Sequence, residues 1–299
     1  MVNVSPHIEI DNQKREPDQN NDTEINEIST LLSSLHTVLG FDIYHYSQYE
    51  VEQQILIPPL FNYLYSDSWN LVKQNYSYIF QDYDNMMRTD AKNHVDYFIS
   101  TGDGGYQIID TPIHAILFLI VFATILRFYN SGLYFPLIYE KVGTIDIRYA
   151  ISYDNLYKYN GNYYGAAIIN NSRMMSKDKL NRLLIDKNTN DWFLRSIYGI
   201  ENLMSIGLED ISRIKEFVGY SKDLMMGKSN AVIQMENEII KREGIKAVDI
   251  QKITETQEKN TRLNIYNLHL QATIDYRSFF ETQRIVTVSI GNLNTDGIS

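Results

Sequence analysis

The residues that most constrain how this chain folds form a glycine-rich turn between two apolar runs, within residues 93–107 (NHVDYFISTGDGGYQ). Apolar and polar residues alternate up to Ile99, Gly-Asp-Gly-Gly follows, and Tyr106 begins a second apolar run. This pattern predicts a β-hairpin with Asp103 at its tip. The flanking glycines leave room for a charged ligand to approach the carboxylate. Asp-Gly is also an ordinary turn sequence, so the tip indicates chemistry only if a second carboxylate meets it.

Composition excludes several classes of function. With 299 residues, of which 44% are hydrophobic, the chain is expected to form one large domain or one domain with an appendage. Its net charge of −10 argues against a protein that neutralises nucleic-acid phosphates over a broad surface, so no nucleic-acid partner is expected. The absence of cysteine excludes disulfides, thiol catalysis and zinc–thiolate sites.

One segment is apolar enough to be mistaken for a membrane span. Residues 115–126 (AILFLIVFATIL) are apolar throughout, but this run of 12 is shorter than the roughly 20 residues that a bilayer requires. A core helix that covers one face of a sheet explains the run better. The first residues of the chain show no basic segment followed by an apolar one. We therefore expect a cytoplasmic protein without a membrane span.

The rest of the chain alternates between helical and strand-like patterns, which predicts an α/β or α+β body. Residues 1–21 are polar and without period, as in a disordered tail. Helices are predicted at 25–38, stopped by Gly40, at 48–87 with a break at Pro58-Pro59, and at 229–258, with mixed, mainly helical sequence at 178–200 and 208–228. Strands are predicted at 41–47, 145–159, 264–274 and 284–290, and residues 163–173 pass from strand into helix after a turn at 160–162.

The chemistry suggested by this layout is carried by two carboxylates. Asp42 and Asp103 each lie on strand-like sequence, with a helical pattern between them, and a strand and a hairpin tip can meet in one sheet. Two convergent carboxylates commonly hold Mg²⁺ or Mn²⁺, which in turn grip a triphosphate. Arg173, in the later helix, is a candidate cation for developing phosphate charge. For Arg148 the sequence favours a structural or sheet-surface cation and leaves a phosphate role open.

These residues resemble a known family. The ordered set that carries the resemblance is Phe41-Asp42-Ile43, Thr101-Gly102-Asp103-Gly104, Ile147-Arg148-Tyr149-Ala150-Ile151, Gly165 and Arg173. Over roughly residues 38–200 it is similar to the catalytic domain of class III nucleotidyl cyclases. The resemblance implies an α+β, ferredoxin-like βαββαβ fold with helices on a mainly antiparallel sheet. Together with the residue patterns, this gives a disordered tail at 1–21, a catalytic domain at 22–200 with an N-terminal helix, and a C-terminal α/β extension of unknown role at 201–299.

The same resemblance implies the parts of an active site. Asp42, Ile43 and Asp103 would hold two Mg²⁺ or Mn²⁺ ions on a nucleoside triphosphate. Arg173 would reach the phosphates from the partner subunit, so that a homodimer shares its active sites. The glycines beside the hairpin aspartate, Gly102 and Gly104, would lie along the nucleotide.

The chain differs from the family at the positions where the family recognises the base and orients the ribose. Adenylyl cyclases have lysine and guanylyl cyclases an acid where this chain has Ile99, and the second purine-reading position is Asn162. The ribose-orienting asparagine position is Ile169, with Asn170 and Asn171 next to it as candidates. An apolar side chain cannot read a purine edge, so the resemblance implies an altered base pocket.

Tyr46 is a candidate aromatic wall for the base and Asn162 a candidate for its polar edge. A core tyrosine and a turn asparagine are the alternatives. Bacterial cyclases of the Pycsar antiphage systems, which make cyclic CMP or cyclic UMP, look similar. The predicted function is therefore conversion of UTP or CTP to a cyclic messenger that a separate effector reads. The alternatives are a purine cyclase, a cyclase-fold module that binds nucleotide without turnover, and a structural protein in which Asp103 is only a turn residue.

Overall fold

The computed structural model describes residues 33–75, 98–178, 182–196, 244–258, 261–275 and 285–291. These residues form nine strands in one sheet and five α-helices. The strands are β1 Ser33–Ile43, β2 Phe98–Ser100, β3 Gly104–Ile109, β4 Ile147–Tyr159, β5 Asn162–Gly165, β6 Leu183–Asp186, β7 Gly244–Glu258, β8 Thr261–Asp275 and β9 Ile285–Ile290. The helices are α1 Val51–Asn75, α2 Pro112–Asn130, α3 Pro136–Val142, α4 Ala166–Met175 and α5 Lys187–Ser196.

The strand order confirms the predicted fold class. Along the sheet the order is β2-β3-β1-β4-β6-β8-β7, with β5 paired to β4 and β9 to β8. Every pairing is antiparallel except that of β4 with β6. The described part of the first half of the chain follows β1-α1-β2-β3-α2-α3-β4, and its four strands lie in the order β2-β3-β1-β4. This is the ferredoxin-like βαββαβ arrangement, within an α+β fold.

The central strand β1 separates two layers of side chains. Leu39, Phe41 and Ile43 belong to the main core, where the Phe41 ring meets aromatic rings of α1, α2 and β4, namely those of Phe61, Phe118, Phe122 and Tyr149. Alternate residues of a strand face opposite sides. Val38, Gly40 and Asp42 therefore face the other layer, where α4 packs. Asp42 thus lies on the face away from the main core.

Helix α2 confirms the predicted core helix. It is long and apolar enough to cross a membrane by length and composition, but 83% of its most apolar window is buried inside the molecule. Its side chains pack between the sheet and α1. The apolar run therefore fills the core.

The predicted helix at 25–38 is wrong in its described part. Residues 33–38 belong to β1, which pairs with β3 on one side and β4 on the other. A strand buried on both faces carries an apolar run without strict alternation, and that run resembles a helical pattern. Gly40, expected to stop a helix, lies inside the strand. Residues 25–32 lie outside the described ranges.

The predicted break at Pro58-Pro59 is also wrong, because α1 continues through both prolines. Proline lacks the N–H that would bond to the carbonyl four residues earlier. For Pro58 that carbonyl belongs to Gln54, and the Tyr46 hydroxyl donates to it at 2.9 Å. The Tyr46 side chain, from the 3₁₀ turn Tyr46–Gln48 that precedes α1, therefore replaces one missing backbone donor.

The C-terminal prediction needs a larger correction. The expected polar helix at 229–258 is a strand over its described part, because β7 pairs along its length with β8. Isoleucine, valine and threonine are frequent in this segment and suit a paired strand. The strands at 264–274 and 284–290 are confirmed as β8 and β9. The described strands of the C-terminal third extend the sheet. Residues 197–243, which include 208–228, lie outside the described ranges.

Candidate active site

The structure brings Asp42 and Asp103 to the same end of the β1–β3 pair. Asp42 is the register partner of Gly104, and the Ile43 N–H donates to the Asp103 carbonyl at 2.8 Å. Strand and hairpin tip therefore meet as the sequence predicts. The two carboxylates lie where the chain leaves the sheet, at a partly exposed edge.

Glycines make this close approach possible. A Cβ at Gly104 would lie 2.1 Å from the Phe41 carbonyl oxygen, so only glycine fits beside β1. Gly102 has φ +95°, a turn conformation that side chains rarely adopt. At the tip, the Thr101 hydroxyl donates to Asp103 Oδ1 at 3.2 Å. The tip thus holds its carboxylate with one local hydrogen bond and presents little side-chain bulk.

Arg148, for which the sequence favours a structural or sheet-surface cation, forms an ion pair with Asp42. It faces Asp42 from β4, and its Nε donates to Asp42 Oδ2 at 2.7 Å while its Nη2 forms an ion pair with the same oxygen. Its Nη1 donates to the Asp178 carbonyl at 2.9 Å, and its guanidinium carbon lies 5.3 Å from the centre of the Tyr44 ring. Finding this contact requires the β1–β4 register, which sequence spacing does not give.

This ion pair bears on the choice between an enzyme and a binding module. Two unpaired carboxylates kept together would favour an enzyme over a binding module, because an unpaired, partly buried charge is costly. Asp42 has a partner, so that argument does not hold for it. The presence of Asp42 alone is compatible with catalysis, with binding and with a structural ion pair.

The donors at this edge fit a hard divalent cation. Carboxylate and backbone oxygens are the ligands that Mg²⁺ and Mn²⁺ prefer, and both kinds are available at Asp42, Ile43 and Asp103. Within the described ranges no cluster of three or more histidine, aspartate or glutamate side chains could hold a metal. An ion bound here would therefore complete its coordination with substrate phosphates and water.

Helix α4 presents Arg173 on its outer side. Ala167, Asn171 and Met174 are buried against the sheet, whereas Ile169 is 51% exposed and Arg173 is half-buried. Among the residues that the structure describes, the Arg173 guanidinium has no hydrogen-bond or ion-pair partner. The Arg173 guanidinium is therefore available to bind an anion that is not part of the same protomer.

The two candidate asparagines of α4 have different environments. The Asn171 amide is buried and donates to the carbonyls of Val38 at 2.8 Å and Ala150 at 2.9 Å. Asn171 thus fastens α4 to the sheet. Asn170 is half-buried and stays the candidate that a nucleotide can reach.

The candidate base-reading residues are spread over the molecule. Ile99 packs against a small apolar cluster, and Tyr46 packs against the main core with its hydroxyl on Gln54. Asn162 is exposed and pairs with Tyr159, eleven residues beyond Arg148 on β4. That separation is about 36 Å along the strand, taking roughly 3.3 Å per residue. One protomer does not bring Asn162 to Asp42, and the three base-contact assignments stay predictions.

No protein-family model and no curated protein match this sequence. The solved structures that its fold resembles include adenylyl and guanylyl cyclases. The guanylyl cyclase Cya2 is similar with a TM-score of 0.41 and 10% identity over 79% of this chain and 92% of that one. An adenylate/guanylate cyclase/hydrolase from Silicibacter pomeroyi gives 0.39 and 11%, over 79% and 96%. The adenylyl cyclase CyaB from P. aeruginosa gives 0.38 and 12%, over 79% and 95%. These similarities concern the fold.

Proposed function

We propose that this protein is a metal-dependent nucleotidyl cyclase that converts a nucleoside triphosphate to a 3′,5′-cyclic nucleotide and pyrophosphate. The observation that carries the proposal is the meeting of Asp42 and Asp103 at one edge of the sheet, beside a glycine-lined tip. A triphosphate held there needs charge neutralisation and alignment more than covalent chemistry from the protein.

In this reaction the 3′-hydroxyl oxygen forms a bond to the α-phosphorus, and the bond from that phosphorus to the β-phosphate oxygen breaks. Pyrophosphate leaves with the bond's electron pair, and the hydroxyl proton passes to solvent. Two bound Mg²⁺ or Mn²⁺ ions would neutralise phosphate charge and make the hydroxyl more acidic. Asp42 and Asp103 would hold these ions, and the hairpin tip, which carries little side-chain bulk, would admit the triphosphate.

A second protomer completes the proposed site. The Arg173 guanidinium is open to an external anion, and Asn162 lies at the far end of its own sheet from Asp42. Both facts support a homodimer in which these residues serve the partner's carboxylates. Arg173 would then stabilise charge on the α- and β-phosphates as the bond breaks.

The proposed substrate is a pyrimidine nucleotide, UTP or CTP. The Ile99 side chain offers no hydrogen-bond donor or acceptor, and it packs against a cluster whose buried members are Val38, Ile108, Leu156 and Ala167. A purine's polar edge that is buried without hydrogen-bond partners costs free energy. The product would be a cytoplasmic messenger read by a separate effector, in the manner of antiphage signalling.

A second candidate is a cyclase-fold module that binds nucleotide without turnover. The Asp42–Arg148 ion pair is compatible with it, because the pair gives Asp42 a structural partner with or without turnover. This candidate predicts metal-dependent nucleotide binding with no product.

One experiment separates the two. The purified full chain is incubated with ATP, GTP, CTP and UTP in turn, each with Mg²⁺ and with Mn²⁺, and the products are identified by mass spectrometry. A single cyclic pyrimidine nucleotide, absent for Asp103→Asn, is the expected result. No cyclic product from any nucleotide, together with Mn²⁺-dependent nucleotide binding that Asp103→Asn abolishes, would establish the binding module instead.

A further inference from the structure

The contacts of Arg148 differ from those of an ordinary surface ion pair. Two of its nitrogens meet the single oxygen Oδ2 of Asp42, a third meets the Asp178 carbonyl, and its guanidinium lies against the Tyr44 ring. The side chains of Arg148 and Asp42 are only 20% and 21% exposed. A charge-assisted contact of this kind is stronger than a neutral hydrogen bond, and partial burial reduces its screening by solvent.

Arg148 therefore occupies one of the two Asp42 carboxylate oxygens that could bind a divalent cation. A metal ion at Asp42 competes for the lone pairs of Oδ2, and it also faces the positive charge of the guanidinium at close range. Both effects oppose metal binding while Arg148 stays on Asp42. If Oδ2 coordinates the ion, it cannot at the same time keep both of its contacts with Arg148.

The surroundings give Arg148 a place to remain after it leaves Asp42. The Asp178 carbonyl and the face of the Tyr44 ring are both ligands for a guanidinium, and neither belongs to the proposed metal site. When Arg148 leaves Asp42 it loses one of its three contacts and keeps the other two. The partly buried cation is therefore not left without partners.

We propose that Arg148 is a built-in counter-ion that holds Asp42 in the metal-free protein and is displaced from it by the divalent cation. The inference rests on the proposed function for its purpose, because it concerns the same metal site. Arg148 is in this respect a positioning residue: it keeps the Asp42 carboxylate ordered and neutralised before metal arrives, and it sets the threshold of metal concentration at which the site fills.

The direct test uses Mg²⁺ alone and no nucleotide. In the full chain labelled with ¹⁵N-arginine, the Nε–H signal of Arg148 is assigned by its loss in Arg148→Lys. We expect Mg²⁺ to shift this signal away from its carboxylate-bonded position, toward the position that it already has in Asp42→Asn without metal. The matched control is Arg127, whose Nη1 donates to the Thr287 carbonyl and whose signal stays in place. An Arg148 signal that does not move when Mg²⁺ saturates the protein overturns the proposal.

A second measurement separates displacement from simple charge repulsion. Mn²⁺ affinity is determined by electron paramagnetic resonance for the wild type, Arg148→Lys and Arg148→Gln. Lysine keeps the charge but not the fork that spans Asp42 and Asp178. We expect about tenfold tighter binding for the glutamine variant, the equivalent of one strong contact removed, and an intermediate value for lysine. Equal affinity in all three proteins, including no binding by any, overturns the proposal.

The outcome is independent of turnover. If Mg²⁺ displaces Arg148 but no cyclic nucleotide forms, the counter-ion role stands and the cyclase proposal fails. If a cyclic nucleotide forms and the Arg148 signal stays fixed, the cyclase proposal stands and the counter-ion role fails.

Discussion

Gly40 and Asn171 are in such close contact that a Cβ at residue 40 would lie 2.0 Å from the Asn171 Oδ1. The missing side chain lets α4 settle onto the central strand, and the Asn171 amide then bonds to carbonyls on both sides of Gly40, at Val38 in β1 and Ala150 in β4. The position of α4 fixes where Arg173 points. A framework contact thus determines the geometry of a proposed functional residue.

The first prediction concerns this contact. Gly40→Ala forces α4 away from the sheet, and we expect it to lower the free energy of unfolding by about 1–3 kcal/mol. Urea denaturation followed by circular dichroism measures the change. Ser47→Ala, at an exposed position, is the control and is expected to stay within about 0.5 kcal/mol. A wild-type stability for Gly40→Ala contradicts the close packing.

The second prediction concerns Tyr46. Tyr46→Phe keeps the ring but removes the hydroxyl that bonds to the Gln54 carbonyl above Pro58. We expect a loss of about 0.5–1.5 kcal/mol in unfolding free energy, the usual contribution of one hydrogen bond. The balance of nucleotides converted should be unchanged. A shift in that balance without a loss of stability would support the base-wall role instead.

Pro58→Ala provides the matched background for this test. Alanine restores a backbone N–H for the Gln54 carbonyl, so the Tyr46 hydroxyl is no longer its sole replacement donor. In that background Tyr46→Phe should cost less than in the wild type. Equal costs in both backgrounds would mean that the hydroxyl does not compensate for the proline.

The sequence predicts the features that local residues determine. The Gly-Asp-Gly-Gly hairpin follows from turn chemistry, and α2 follows from a run of apolar residues too short for a bilayer. The helix predicted at 25–38 overlaps the first part of β1, whose partners β3 and β4 lie far away in the chain, and strand preference depends on such partners. Strand β7 pairs with the next strand, β8, but its mostly polar sequence lacks the apolar run of a buried strand. The Asp42–Arg148 contact needs the β1–β4 register, which joins residues 106 positions apart. Long-range pairing, which local patterns do not encode, accounts for the errors at β1 and for the Asp42–Arg148 contact.

The third prediction concerns pH. Burial raises the pKa of Asp186 from 3.8 to about 6, although its carboxylate accepts hydrogen bonds from the N–H groups of Thr189 and Tyr153. An acid whose pKa is higher in the folded than in the unfolded state stabilises the fold when protonated. That stability is present below the unfolded pKa and is lost as pH rises through about 6.

The measurement is the difference between wild type and Asp186→Asn in urea denaturation from pH 4 to pH 8. Asparagine keeps an oxygen that can accept the Thr189 N–H at the start of α5 but does not ionise. Relative to this variant, the wild type should lose about 2–3 kcal/mol across the interval and then remain constant. A difference that does not change with pH contradicts a raised pKa at Asp186.

The fourth prediction tests the shared active site. Asp103→Asn removes a metal ligand, and Arg173→Ala removes the cation proposed to reach the partner's phosphates, so each variant alone should make no product. Mixed and allowed to exchange subunits, the two should regain about one quarter of wild-type activity. Half of the random dimers are then heterodimers, and each of these has one site with both residues intact.

The control for this complementation is the double variant Asp103→Asn/Arg173→Ala mixed with the wild type. If Arg173 acts across the dimer, each heterodimer of this mixture has both of its sites damaged, one in its aspartate and the other in its arginine. If Arg173 acts within its own protomer, both defects fall in one site and the wild-type site of the heterodimer stays active. A shared site requires two results: the first mixture regains activity, and the second mixture has less activity than half of all sites would give. No recovery in the first mixture and activity from half of all sites in the second would place Arg173 beside its own Asp42.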